Sequence, residues 1–308
     1  GHSLAELKQI LEQTKPDLLH AGPLHLAGYL AARSGFQPLV SMSWGYDLLY
    51  DAPRSVQARR AIAYTLEHSA AMVGDCATIR QLAQAYGMPD ERIVTFPWGI
   101  DLNCFRPVPD LQGAQTTNQK ALVPHARLVL LSTRNWEPIY GVDVIARAFG
   151  QVAQDHPELC LVMLGSGSQA AMLRQIFEDG GVLDQVVFPG LVDQDNLPAI
   201  YQAADLYISA SHSDGTSISL LEAMASGKPA IVSDIHGNRE WITPGVQGWW
   251  FQDGDASALA QAIRVAIDQR SRLAEMGQAA RQVAEQRANW DKNFPMLLNA
   301  YEIALRSL

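Results

Sequence analysis

Short apolar runs with strand-like composition alternate with helical patterns along almost the whole chain. This alternation is typical of parallel β-sheets whose strands are joined by crossover helices. The polar segment 109–120 divides the pattern into two series. The first series predicts strands at 17–21, 38–44, 70–74 and 93–97. The second predicts strands at 127–133, 159–164, 186–188, 206–210, 229–233 and 248–250.

Helices are predicted between and after the strands of the second series. They lie at 141–155, 169–179, 196–203, 219–226, 256–287 and 288–305. The last helix carries Trp290, Phe294 and Tyr301 at near-helical spacing, so we expect it to pack against the first domain. We predict an N-terminal domain of 1–107 completed by 290–308, and a C-terminal domain of 108–289. Because the first series opens on a helix, we expect the N-terminal domain to be shortened.

Composition supports a two-domain globular protein and argues against several functions. The length of 308 residues, with 48% hydrophobic and 18% charged residues, is typical of a globular enzyme with more than one core. A net charge of -9 without a block of like charge argues against nucleic-acid binding. The 3 cysteines lack CxxC spacing, so we expect no disulfide framework, no zinc site and a cytoplasmic location. Peripheral membrane contact stays an alternative, because it needs only an amphipathic helix face.

One segment, 211–234, has the pattern of an anion-binding site. A strand leads into a glycine-containing loop and then a short helix, and the free N–H groups around 215–219 suit a diphosphate. Asp214 and Glu222 flank this loop. Carboxylates prefer hydroxyl partners to phosphates, so the segment suits a ligand with sugar hydroxyls on both sides of a diphosphate. A nucleotide sugar has that layout.

The same segment resembles the acidic-x7-acidic signature of the retaining GT-B glycosyltransferases of family 4. Further segments resemble that family in the same order, at 93–107, 132–149, 161–168, 186–209 and 237–251. The resemblance implies two Rossmann-like α/β domains with a cleft between them and sugar transfer with retention of anomeric configuration. It also implies a UDP- or GDP-sugar as co-substrate, no other cofactor and no metal. The acceptor is left open as a glycan, a lipid-linked molecule or a small molecule.

The resemblance assigns roles to residues of this chain. Arg134 would pair with the leaving phosphate and Asp214 would contact the donor sugar, as the two catalytic residues. The donor-binding residues would be Gly215, Thr216, Ser217, Ile218, Ser219, Glu222, Tyr140, Gly165, Phe188 and Val192. The acceptor side of the cleft would carry Trp44, Gly45 and Asp47.

Two residues depart from the family pattern. Asp214 stands where the family most often has glutamate, and Tyr140 where many members have a lysine that joins the arginine on the phosphates. The missing cation favours an alternative function, a nucleotide-sugar-binding protein with weak or absent catalysis.

Other motifs have simpler interpretations. Ser219 and Glu222 match an S-x-x-E capping box at the start of a helix. The G-x-G-x-x-A pattern at 165–170 is the basis of an NAD(P)-dependent oxidoreductase alternative, although a strand at 127–133 precedes the one that it follows. Asp193 and Asp195 form a D-x-D pattern that polar loops often produce, and His212 adjoins the Asp214 loop.

Overall fold

The computed structural model describes residues 3–107, 123 and 126–307, so the polar segment 109–120 lies outside the described residues. The chain forms two compact units. The first runs to Gly99 and includes Ser213–Thr216 and the chain from Trp290 onward, and the second comprises Ile100–His212 and Ser217–Asn289. The division lies between Gly99 and Ile100, upstream of the predicted boundary near 107.

The first unit is a four-stranded parallel sheet in the order β1-β2-β3-β4. Its strands are β1 (Leu19–Ala21), β2 (Leu39–Met42), β3 (Ala71–Gly74) and β4 (Ile93–Thr95). Its helices are α1 (Leu4–Thr14), α2 (Ala27–Ser34), α3 (Ala52–Arg54), α4 (Val56–Glu67) and α5 (Ala77–Ala85). A capping box begins α1, because the Ser3 hydroxyl accepts the Glu6 N–H while the Glu6 carboxylate accepts the Ser3 N–H.

The C-terminal helix α13 (Trp290–Leu305) completes the first unit by packing against its sheet. Ala300 and Ala304 are fully buried in a cluster with Val40, Val73 and Phe96. Small side chains at these two helix positions let the helix backbone approach the strands closely. The Tyr301 hydroxyl lies 2.9 Å from Nδ1 of His20 on β1.

The second unit contains a six-stranded parallel sheet in the order β10-β9-β8-β5-β6-β7. Its strands are β5 (Leu128–Ser132), β6 (Leu159–Leu164), β7 (Val186–Gly190), β8 (Leu206–Ser209), β9 (Ala230–Ser233) and β10 (Gly248–Phe251). Its helices are α6 (Val142–Ala153), α7 (Ala170–Asp179), α8 (Leu197–Ala203), α9 (Ile218–Ala225), α10 (His236–Arg239), α11 (Ala256–Asp268) and α12 (Leu273–Arg287). Read from β7, the order is that of a Rossmann sheet, with β5 and β8 adjacent at the switch point where ligands bind.

Helices cover both faces of this sheet, which explains why its strands are continuous apolar runs rather than alternating ones. On one face α6 buries Ile145 and Phe149, and on the other α9 buries Leu221 and Met224. The two parallel-sheet α/β units confirm the predicted fold class.

One helix prediction is wrong. The pattern 256–287 forms two helices, α11 and α12, separated by a 3-10 turn at Arg270–Arg272. The chain turns there because α11 packs against α6 while α12 packs against α9 on the opposite face of the sheet. No Gly or Pro marks the break, so composition gave no signal for it. Within the described residues, no helix is both long and apolar enough to cross a bilayer.

Candidate active site

A pocket of the second unit lies at the switch point of its sheet. Arg134 follows β5 by two residues, and α9 begins after the loop that follows β8. The pocket has an empty volume of about 720 Å³, which includes space open to solvent. It is lined by Thr133, Arg134, Asn135, Tyr140, Leu164, Gly165, Leu191, Val192, Leu197, Ile218, Ser219 and Glu222.

The Arg134 side chain is held in this pocket by two hydroxyls and one aromatic ring. Its Nη1 donates to Oγ of Ser217 at 3.1 Å and to Oγ of Ser219 at 3.2 Å. The guanidinium carbon lies 4.1 Å from the ring centroid of Tyr140. Ser219 is held in turn by the buried Tyr207 hydroxyl, which donates to it at 2.8 Å. This network fixes a cation at the wall of the pocket.

Glu222 is 6% exposed and lies on α9, where it lines the same pocket. The hydroxyl of the fully buried Tyr201 lies 2.9 Å from Oε2 of Glu222 and donates to it. The same hydroxyl lies 3.1 Å from the Ser219 carbonyl oxygen and 3.1 Å from the Thr133 hydroxyl. Burial raises the pKa of Glu222, and the hydrogen bonds from Tyr201 and Gln194 oppose that rise.

The capping-box interpretation of Ser219 and Glu222 is wrong. The N-cap residue of α9 is Ser217, and its side chain makes no capping hydrogen bond. Ser219 therefore stands inside the helix, where its hydroxyl contacts Arg134 and Tyr207. Both side chains of the S-x-x-E pattern are engaged in the pocket network instead of closing the helix end.

The glycines of the G-x-G-x-x-A pattern that follows β6 allow two backbone segments to pack closely. Gly165 has a φ of +94°, and a Cβ there would lie 3.0 Å from the Arg134 carbonyl oxygen. A Cβ at Gly167 would lie 2.4 Å from the Trp136 carbonyl oxygen. The two glycines therefore let this turn approach the backbone that carries Arg134.

Of the predicted donor-binding residues Phe188 and Val192, only Val192 is among the residues that line the pocket. Val192 lines the pocket, whereas the half-buried Phe188 ring packs edge-on against Trp136 with centroids 5.6 Å apart. Leu191, 78% exposed, and Leu197 also line the pocket, and sequence reasoning missed both. Leu191 directly follows Gly190 at the end of β7, so an apolar residue in a polar loop was the available signal.

The loop Ser213–Thr216 belongs to the first unit, where the buried Asp75 side chain holds it. The Thr216 N–H donates to Oδ2 of Asp75 at 2.7 Å, and its hydroxyl donates to the Asp75 carbonyl oxygen at 2.7 Å. A Cβ on Gly215 would lie 2.4 Å from the Asp75 carboxylate, so a larger residue there would have to displace that side chain. Burial raises the pKa of Asp75 to about 6. The Thr216 amide, predicted to serve a diphosphate, is thus engaged by a carboxylate.

The residues predicted for the acceptor side follow β2 in the first unit. Trp44 is 54% exposed, and Gly45, at a φ of +82°, would bring a Cβ to 2.7 Å from the Gly215 nitrogen. Asp47 is fully buried and accepts the N–H groups of Leu24 and Leu48, both at 2.9 Å, and the Ser43 hydroxyl at 2.5 Å. Burial raises its pKa. Its position favours a structural role in the turn over substrate contact.

The remaining sequence candidates lie in local contacts. Nδ1 of His212 lies 2.6 Å from a carboxylate oxygen of Asp253. The carbonyl of Asp193, in the D-x-D pattern, accepts the N–H of Asn196 just before α8. Across residues 3–107 and 126–307, no group of three His, Cys, Asp or Glu side chains is arranged to hold a metal ion.

Two family models of glycosyl transferases match this chain. A family model of glycosyl transferases group 1 matches residues 114–283, and a glycosyl transferase 4-like model matches residues 2–75. The chain is 27% identical to the GDP-mannose-dependent alpha-(1-6)-phosphatidylinositol monomannoside mannosyltransferase of Mycolicibacterium smegmatis, over 88% of this chain and 71% of that protein. It is 29% identical to the D-inositol 3-phosphate glycosyltransferase of Nocardia farcinica, over 83% of this chain and only 57% of that protein.

Solved structures share the fold. HepE from Anabaena in complex with UDP-glucose superposes with a TM-score of 0.83 at 22% identity, covering 99% of this chain and 82% of that one. Sucrose-phosphate synthase from Thermosynechococcus elongatus gives a TM-score of 0.83 at 20% identity, covering 99% and 78%. Since the group 1 model matches more than half of the sequence and the fold matches GT-B structures, this chain belongs to the glycosyl transferases group 1 family.

Proposed function

We propose that this chain transfers a sugar from a nucleotide-sugar donor to an acceptor hydroxyl, with retention of anomeric configuration and without a divalent metal. The observation that carries the proposal is the fixed Arg134 guanidinium beside the buried Glu222 in one pocket. A cation and a carboxylate that line the same pocket suit a ligand that presents both phosphates and hydroxyls.

The donor would lie along the pocket in a definite direction. Its diphosphate would contact Arg134 and the first turn of α9, where backbone N–H groups and the helix dipole favour anions. Its ribose hydroxyls would donate to Glu222, and its base would lie against the apolar wall of Leu191, Val192 and Leu197. Arg134 would offset the charge that develops on the departing diphosphate, the task that a metal ion performs elsewhere.

For the chemical step we propose front-face attack by the acceptor hydroxyl. The bond between the anomeric carbon and the diphosphate oxygen breaks as the new glycosidic bond forms, and the diphosphate takes the acceptor proton. Asp214 would bind hydroxyls of the donor sugar, and no side-chain nucleophile is assigned. The two relatives above act on inositol-containing acceptors by name, so a polyol is the first acceptor class to test.

A donor panel tests this proposal. UDP-glucose, GDP-mannose and related donors are incubated with the protein in EDTA, with and without inositol phosphates, and released nucleoside diphosphate is measured. We expect release with one donor, increased by an acceptor, and a product whose anomeric NMR coupling matches that of the donor. Release only with added Mn²⁺ would contradict the metal-free mechanism, and an inverted product would contradict retention.

The second candidate is a nucleotide-sugar-binding protein without effective catalysis, favoured by Tyr140, which brings no second cation to Arg134. It predicts tight donor binding by calorimetry together with no turnover for any donor and acceptor in the panel. Absence of both binding and turnover would contradict both candidates.

A further inference from the structure

Tyr140 lines the Arg134 pocket from a closely packed backbone turn. It ends a one-turn 3-10 helix, Pro138–Tyr140, and its N–H donates to the Glu137 carbonyl at 2.9 Å. The next residue, Gly141, has a φ of +57°, and a Cβ there would lie 2.1 Å from the Ala210 carbonyl oxygen. The backbone that carries Tyr140 is therefore packed directly against the chain that follows β8.

The Tyr140 ring and the two serine hydroxyls constrain Arg134 in different ways. The ring lies 4.1 Å from the guanidinium carbon, within the distance of a cation–π contact. The hydroxyls of Ser217 and Ser219 accept hydrogen bonds from one terminal nitrogen, Nη1, which fixes the direction of the group. The Tyr140 hydroxyl makes no hydrogen bond to another residue of the described chain. Tyr140 therefore contacts Arg134 through its aromatic ring and not through its hydroxyl.

We propose that Tyr140 is a positioning residue that holds the Arg134 guanidinium ready for the leaving diphosphate, and that it acts through its aromatic face. This inference rests on the proposed function, in which Arg134 meets the charge of the departing group. An arginine side chain is long and loses much rotamer freedom when it is ordered. Because the Tyr140 ring orders the Arg134 side chain before the reaction, this loss of rotamer entropy does not add to the activation barrier. We therefore expect removal of the ring to lower kcat more than it changes donor KM.

A pair of variants separates the ring from the hydroxyl. Tyr140→Phe keeps the ring and removes only the hydroxyl, and we expect its kcat to exceed that of Tyr140→Leu by about tenfold. Tyr140→Leu keeps an apolar side chain of moderate size but removes the cation–π contact, and we expect kcat to fall about tenfold with a smaller change in donor KM. Melting temperatures show whether both variants fold like the parent. Equal kcat in the Phe and Leu variants, whether both are parent-like or both impaired, would overturn the proposal.

A second measurement does not require turnover. Guanidinium nitrogen signals in ¹⁵N-labelled protein report how fast the group rotates, and the Arg134 signal is assigned by its loss in Arg134→Lys. We expect slow rotation in the parent and in Tyr140→Phe, and fast rotation in Tyr140→Leu. If the parent binds and turns over no donor, the proposed function fails while this measurement still tests the contact. If rotation is the same in all three proteins, the positioning role is wrong whatever the activity.

Discussion

The two units carry buried carboxylates near the carboxyl ends of their parallel strands, but these groups have different partners. In the first unit Asp47 and Asp75 accept hydrogen bonds mostly from backbone N–H groups of the protein itself. In the second unit Glu222 accepts from the Tyr201 side chain and still lines an open pocket beside a cation. A carboxylate at this edge of a sheet is therefore a candidate ligand-binding group only when its hydrogen bonds within the protein still leave it lining an open pocket.

Removing the Asp47 carboxylate tests whether the fold of the first unit depends on it. Asp47→Ala leaves buried N–H groups of Leu24 and Leu48 without their acceptor, and we expect the free energy of unfolding to fall by roughly 3 kcal/mol or more. Chemical denaturation measures the loss, and Asp17→Ala, at an exposed position in the same unit, is the control. A loss no larger than that of the control would show that Asp47 does not organise its turn.

The raised pKa of Asp75 makes the free energy of unfolding depend on pH. Its pKa is raised to about 6 by burial, so the folded state holds this proton more tightly than the unfolded state does. The stability that it contributes is fully present below about pH 4 and is lost as pH rises through about 6. Asp75→Asn does not titrate, so we expect it to gain roughly 3 kcal/mol on the parent across this window, at about 1.4 kcal/mol per pKa unit. Denaturation of both proteins from pH 4 to 7 measures this, and a constant difference would contradict it.

The parts of the fold that the sequence predicted are those specified locally. All ten strands lie within about two residues of their predicted bounds, because each buried strand is a continuous apolar run between turns. The break between α11 and α12 was missed because it follows from packing against two different helices, which no local pattern records.

At the site, too, the sequence predicted features that a local motif specifies and missed those that depend on contacts between distant residues. Arg134 was selected by a family resemblance. Asp214 and Glu222 were first selected as the carboxylates that flank the predicted anion-binding loop, although spacing alone also allowed a helix cap for Glu222. The bond between Asp75 and Thr216 joins residues 141 positions apart, and the contact of Tyr140 with Arg134 depends on the orientation of a ring. Neither leaves a periodic signal in the chain.

In the second unit, substitution of Arg134 tests whether the pocket takes part in sugar transfer. Arg134→Ala removes the cation of the pocket, and we expect transfer to fall by at least about 100-fold, the scale of one lost transition-state donor. Its melting temperature should stay near that of the parent, because the residue contacts side-chain hydroxyls at an open pocket rather than core groups. Arg147→Ala, at an exposed arginine of the same unit, is the matched control. Transfer equal to that of the control would remove Arg134 from the site.

The smallest and most discriminating effect is expected at Glu222, where charge and structure can be separated. Glu222→Gln keeps an acceptor for the Tyr201 hydroxyl but loses the negative charge that we propose to hold the ribose, so nucleotide affinity should fall about tenfold with little change in stability. Because the N-cap residue of α9 is Ser217 and not Ser219, no capping energy is at stake in this substitution. Tyr201→Phe is the complementary variant, since it removes the hydrogen bond that Glu222→Gln keeps and leaves the charge in place. Calorimetric titration with the best nucleoside diphosphate should therefore show a larger loss for Glu222→Gln than for Tyr201→Phe. The reverse order would mean that the buried hydrogen bond matters more than the charge, and Glu222 would then resemble the internally satisfied carboxylates of the first unit.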